Sequence, residues 1–170
     1  RLGWPVIAEA SSGVRFGTPH PKLMTTYDAL MRSAASRTLK PDCVIRFGRT
    51  NTSRPLNEWL QTVAAGRLVV VDSSPFPSDP DRLSHTHLRL SAVDFCARMG
   101  IALAESPGDS EWLGRWQTIE ATLAAFFEEE VNTSWWEGSI ARTVLDLAPE
   151  QAIIHLANSM PIRDVDNFCP

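Results

Sequence analysis

An α/β fold with a mainly parallel sheet flanked by helices is what this 170-residue sequence predicts, on three observations. Short apolar runs alternate with longer segments of helical periodicity. One run, "RLVVVDS" (residues 67–73), is apolar through its centre, as a strand covered on both faces is. Hydrophobic residues make up 44% of the chain, enough for the core of an ordinary domain.

The elements follow in order. "WPVIA" (residues 4–8) reads as a strand that opens into the loop Ser11-Ser12-Gly13. Leu23, Tyr27, Leu30, Met31 and Ala34 recur at helical spacing over residues 21–36. "CVIRFG" (residues 43–48) is a second strand, and Leu56, Leu60 and Val63 mark the helix after it, with Thr52 or Ser53 as its cap. Residues 67–73 are a third strand, followed by the turn-rich "SSPFPSDPD". "HTHLRL" (residues 85–90) alternates like a strand at or near a sheet edge, and residues 92–104 are helical. Asp109 or Ser110 caps a long helix with Trp112, Trp116, Ile119, Leu123 and Phe126 on one face. Ser134 and Glu137 have the spacing of a capping box, opening a helix striped with Trp136, Ile140, Val144 and Leu147. A final strand is expected from about Ala152, over "QAIIH".

Composition removes several function classes. A net charge of −4, with no basic run, argues against a nucleic-acid surface. The apolar runs are too short to span a bilayer, and the opening residues are too poor in apolar and basic character for a signal peptide. Arg1 rather than Met opens the chain, as in a segment of a longer protein. Cys43, Cys96 and Cys169 are odd in number and widely spaced, which fits buried thiols of a reducing, cytoplasmic compartment.

Ligands of parallel α/β sheets bind beyond the carboxyl ends of the strands, so three strand ends are candidates. "SSGVRFG" lacks a dinucleotide glycine pattern and reads as a turn with a solvated Arg15. "RFGRTNTSRPLNEWL" places Arg54 and Pro55 in the first turn of a helix, where free N–H groups beside an arginine suit an anion; ordinary capping with a surface arginine is the plainer reading. The third, "NSMPIRD", offers Arg163, whose planar fork grips a carboxylate with two hydrogen bonds, and Ser159 as a further donor, with Pro161 stiffening the loop. The alternative there is an Arg163–Asp164 surface pair of little consequence. His85 and His87 share a strand face without a ligand cluster, so metal binding is not expected. His155 and the six tryptophans are expected mostly in the core, and Asp94 and Glu128-Glu129-Glu130 on solvated helix faces.

"WPVIAEASSGVR", "PDCVIRFGRTNTSRPLNEWL" and "NSMPIRDVD", in this order and spacing, resemble the succinyl-enolpyruvyl-hydroxycyclohexene-carboxylate synthase family of menaquinone biosynthesis. The resemblance runs across nearly the whole chain. It implies a thiamine-diphosphate-dependent transferase of three α/β domains, of which this chain resembles the Rossmann-like, three-layer middle domain (residues 1–133). Residues 134–170 would then be a helix and linker leading into the first strand and substrate loop of the diphosphate-binding domain, loosely held without it.

The family decarboxylates 2-oxoglutarate and adds the four-carbon unit to isochorismate, using thiamine diphosphate with Mg²⁺ or Mn²⁺. By motif position Ser159 and Arg163 resemble the family's substrate-binding serine and arginine. Arg54 stands where the family places a basic residue facing the active site, although Pro55 replaces the second basic residue of some members. The resemblance implies that the activating glutamate and the Gly-Asp-Gly…Asn metal motif belong to the other two domains, and no Gly-Asp-Gly occurs here. The chain alone is thus expected to be catalytically silent and to hold no cofactor, within a parent that is a dimer or tetramer. Two other readings stand beside this one. One is a non-catalytic module in which Arg15, Arg49 and Arg54 bind a regulatory anion. The other is an FAD- or ADP-binding middle domain.

Overall fold

The computed structural model describes residues 2–17, 20–63, 67–76, 78–133 and 135–169. The chain divides into two compact units, one of Arg1–Leu2 with Ala34–Gly108, the other of Gly3–Ser33 with Asp109–Pro170. All strand pairs described are parallel, in two sheets flanked by helices, consistent with a Rossmann-like α/β fold.

The second unit opens with β1 (Val6–Ile7), paired in parallel with β2 (Leu23–Met24). The helix α1 (Tyr27–Arg32) follows. The helical periodicity expected from residue 21 thus starts later, because Leu23 and Met24 are drawn into the strand pair. A tertiary contact sets the start of α1. The Glu120 carboxylate accepts the Thr25 amide (2.8 Å) and hydroxyl (2.7 Å) on one oxygen and the Thr26 hydroxyl (2.7 Å) on the other. A carboxylate at a helix N-terminus satisfies orphan donors and complements the helix dipole.

Between these elements and the rest of its own unit, the chain builds the first unit. A 3₁₀ turn (Ala34–Thr38) leads to β3 (Val44–Phe47), α2 (Arg54–Val63), β4 (Leu68–Val71), β5 (Ser84–Leu88) and α3 (Ala92–Ala102). The sheet order is β3-β4-β5. Val44 faces Leu68 and Phe47 faces Val71, and an irregularity between Leu68 and Val69 adjusts the register to β5. Leu68, Val70 and Val71 are fully buried, as the apolar run required of a central strand. Leu56, Trp59 and Leu60 of α2 complete that core, and the Trp59 indole donates to the Ser36 carbonyl at 3.0 Å.

The second unit resumes with α4 (Ser110–Thr133), α5 (Glu137–Asp146) and α6 (Met160–Phe168). Asp109 caps α4 by accepting the Trp112 amide at 2.8 Å. The residue opposite is necessarily glycine: Gly3 has φ +70°, and a Cβ there would lie 2.3 Å from the Asp109 carbonyl. The capping box expected at Ser134 lies outside the described residues. Trp136 precedes α5 instead, its amide donating to the Ser139 hydroxyl at 2.9 Å.

Several expectations are corrected. No strand forms over residues 152–155: Ile153 is 96% exposed and His155 is exposed rather than in the core. The closing segment, expected to be loosely held, is the helix α6 with Asp164, Val165 and Asp166 buried. Arg15 is 4% exposed, not solvated. Of the tryptophans only Trp59 and Trp116 are buried, and Trp135 is largely exposed. Cys43 and Cys96 are exposed thiols; Cys169 alone is buried. Among the described residues no helix is long and apolar enough to cross a membrane.

Candidate functional site

The first unit places its candidate at the carboxyl edge of the β3-β4-β5 sheet. Gly48, with φ +73°, turns the chain out of β3, and Arg49 follows it into a depression of about 640 Å³. Asp72, Ser73 and Ser74, just beyond β4, line the same depression with Phe76 and Ser78. The two loops are stitched together: the buried Arg46 guanidinium and the Thr50 hydroxyl (3.1 Å) both donate to the Ser78 carbonyl. Burial lowers the pKa of Arg46, opposed by the nearby Asp79, Asp72 and Asp81. At Asp79 burial alone would raise the pKa. The Ser84 hydroxyl and amide, the Leu83 amide and Arg46 outweigh it and hold the carboxyl below its usual range.

Arg54 begins α2 beside this edge, where Ser53 accepts the Leu56 amide at 3.2 Å and serves as the cap. The Arg54 guanidinium is 2.7 Å from Glu58, one turn along the same exposed helix face. Arg49 is exposed and, among the described residues, makes no ion pair.

The second unit holds the other two candidates. Ser159 is the N-cap of α6 with φ +74° and ψ −125°, a conformation costly for a residue with a side chain. Pro161 fits the first turn, where its missing N–H is no loss. Arg163 is exposed and, among the described residues, has no ion-pair partner. A surface pair with Asp164 is not formed, because Asp164 is buried, and burial followed by repulsion from Glu137 raises its pKa. The structure therefore brings Ser159 and Arg163 onto one helix start, while Arg54 belongs to the other unit.

Asp166, which sequence reasoning passed over, holds α6 in place together with Arg15 and Tyr27, which it had read as a solvated turn residue and a helix-stripe residue. Asp166 accepts the Ala10 amide (2.7 Å) and the Tyr27 hydroxyl, and lies 3.6 Å from Arg15. Arg15 donates to the carbonyls of Ala8 (2.7 Å), Asp166 (2.7 Å) and Cys169 (2.8 Å). Burial and then Asp166 raise the Tyr27 pKa far above its ordinary value. Burial pushes the Cys169 thiol up to about 11. An aromatic contact supplements this polar cluster: Phe168 stacks edge-on against Trp136 (4.4 Å) and Phe127 (5.5 Å).

Among the described residues no three His, Cys, Asp or Glu side chains come together to hold a metal ion.

Parallel strands in two sheets flanked by helices define an α/β protein with a Rossmann-like fold. Residues 1–156 match the sequence family described as "Middle domain of thiamine pyrophosphate", and the chain belongs to that family. It is 33% identical over 99% of its length to a 2-succinyl-5-enolpyruvyl-6-hydroxy-3-cyclohexene-1-carboxylate synthase of Listeria welshimeri, covering 30% of that protein. It is 34% identical over 98% of its length to the synthase of Rippkaea orientalis (29% of that protein), and 35% identical over 96% to that of Staphylococcus saprophyticus (28%). The chain thus spans under a third of the length of these curated relatives.

Proposed function

We propose that this chain is the middle-domain portion of a thiamine-diphosphate-dependent carboligase. The proposed reaction decarboxylates 2-oxoglutarate and adds the succinyl-semialdehyde unit to isochorismate in menaquinone biosynthesis. The observation that carries the reading is similarity over almost the entire chain to synthases named for that product. Residues 1–133 form the middle domain, and residues 134–170 lead into the diphosphate-binding domain. The cofactor and Mg²⁺ or Mn²⁺ are held by the other domains of a cytoplasmic dimer or tetramer, and the isolated chain is inactive. The cofactor supplies the bond-breaking chemistry.

In this reading the chain's own residues bind and orient substrate. Both substrates carry carboxylates, and the Arg163 fork, without an ion pair among the described residues, donates two parallel hydrogen bonds to one of them. The Ser159 hydroxyl donates another. Arg54 takes a substrate carboxylate in exchange for Glu58, its partner in the free protein.

The test is CO₂ release from 2-oxoglutarate by the full-length protein, with and without isochorismate, in the presence of thiamine diphosphate and Mg²⁺. Isochorismate-dependent turnover supports the reading. No turnover with the cofactor bound means the substrates are wrong. A second reading is favoured by Arg49, exposed and without an ion pair among the described residues, lining the depression. There the first unit binds a regulatory anion, without Arg15, which is buried. Under it, Arg49→Ala abolishes binding of an aromatic acid and leaves turnover intact.

A further inference from the structure

The helix α6 is held both by aromatic packing and by a buried polar cluster. Its aromatic end is already packed: Phe168 meets Trp136 and Phe127, and Gly138 leaves no room for a Cβ, which would lie 2.6 Å from the Phe168 ring. Such apolar contacts are non-directional and leave a short helix free to rotate or slide by a fraction of a turn. A buried ion pair, by contrast, is a poor source of stability, since apolar residues of the same volume often do as well. What it supplies is direction.

Here the direction is complete. One Asp166 oxygen takes the Ala10 amide and faces Arg15, and the other takes the Tyr27 hydroxyl. Arg15 also spans the carbonyls of Asp166 and Cys169 in the last turn of α6, capping the negative end of the helix with a cation. Asp166 is 2% exposed and Arg15 4%. Rotation about the helix axis and translation along it are both arrested, from the loop after β1 and the start of α1. One turn earlier in the same helix stands the exposed Arg163, with Ser159 at the cap.

We propose that Asp166, gripped by Arg15 and Tyr27, is a positioning residue that sets the register of Arg163 and Ser159 toward the substrate carboxylate. The inference rests on the reading of Arg163 given above. A rigid helix carries a displacement at Asp166 to Arg163, and a misplacement of about 1 Å is enough to cost on the order of a hundredfold in rate.

The test is a double-mutant cycle in the full-length protein, with kcat and KM for 2-oxoglutarate measured well below each variant's melting temperature. Tyr27→Phe removes one hydroxyl and keeps the ring. Arg15→Lys keeps the cation but loses the fork that spans two carbonyls, and is a second route should the first variant fold poorly. Each is combined with Arg163→Ala. In the native background each single change is expected to lower kcat/KM by roughly fivefold or more, and in the Arg163→Ala background by under about twofold, because coupled residues are not additive. A loss of equal size in both backgrounds, or a lowered Tm with kcat/KM unchanged, overturns the positioning role while leaving Arg163 in place. If Arg163→Ala itself costs less than about threefold, the site reading falls and this inference with it.

Discussion

Two helices of this chain begin beside an arginine, and they begin differently. At α2, Ser53 caps the helix by a short-range hydrogen bond, and Arg54 spends its charge on Glu58 one turn along. Every one of those contacts lies within five residues of its partner. At α6, Ser159 caps with a positive φ, Arg163 has no ion pair among the described residues, and the helix is held by residues more than a hundred positions away. The first arrangement is what an ordinary surface helix does. The second leaves an arginine exposed, without an ion pair among the described residues, on a helix whose N-cap residue has a costly backbone conformation.

The largest expected effect separates the two arginines directly. In the full-length protein, Arg163→Ala is expected to lower kcat/KM by roughly 30- to 1000-fold, about 2–4 kcal/mol of transition-state binding. Arg54→Ala should cost less, since an exposed i,i+4 pair is worth only about 0.5 kcal/mol and Glu58 competes for the charge. Equal losses would mean that Arg54 leaves Glu58 in the bound state, and the contrast would be a property of the free protein alone.

The two caps should respond differently to substitution. Ser53→Ala removes an ordinary cap and is expected to destabilise by about 1 kcal/mol. Ser159→Gly relieves the positive φ and should be more stable than Ser159→Ala by about 1 kcal/mol, as read by denaturant unfolding. Should Ser159→Ala prove the more stable of the two, the turn is not strained.

A smaller effect concerns Asp164. Its folded pKa is raised by burial, so the folded protein binds the proton more tightly than the unfolded chain. Its charge therefore costs stability at neutral pH, and the cost fades as pH falls through the folded value toward the ordinary carboxylate pKa near about 4. Asp164→Asn should raise the melting temperature at pH 7, with the gain shrinking as pH is lowered. Asp79 has the opposite sign: its folded pKa is lowered, so its contribution is present above the ordinary value and lost as pH falls through the folded one. The smallest expected effect is chemical. Cys43 and Cys96, exposed, should react quickly with a thiol reagent, and Cys169, buried with its pKa near 11, only on unfolding. Rapid labelling of all three would show that α6 opens readily.

Much of the fold was legible because its signals are local. The run "LVVV" predicts a strand covered on both sides, and Leu68–Val71 is the central strand of its sheet. Asp109 and the 53–55 stretch announce their helices within one turn. Where the reading failed, a distant partner had overruled the local pattern. The start of α1 depends on Glu120, and "QAIIH" is apolar enough for a strand but pairs with nothing among the described residues.

The candidate site divides along the same line. Residue type and spacing raised Ser159, Arg163 and Arg54 as candidates, and the family resemblance chose them over the plainer reading of surface arginines. The sequence by itself also determined the parallel α/β class and the helix start at Ser53, but not the surroundings of Ser159, where the expected preceding strand does not form. Only the tertiary structure decided which arginine is neutralised, which is buried and which stays available. It made Arg15 a buried clamp, paired Arg54 with Glu58, and left Arg163 exposed above Asp166. The reason is physical: an arginine's chemistry is the same everywhere, but its charge is assigned by whatever carboxylates and carbonyls the folded chain brings within about 3 Å of it.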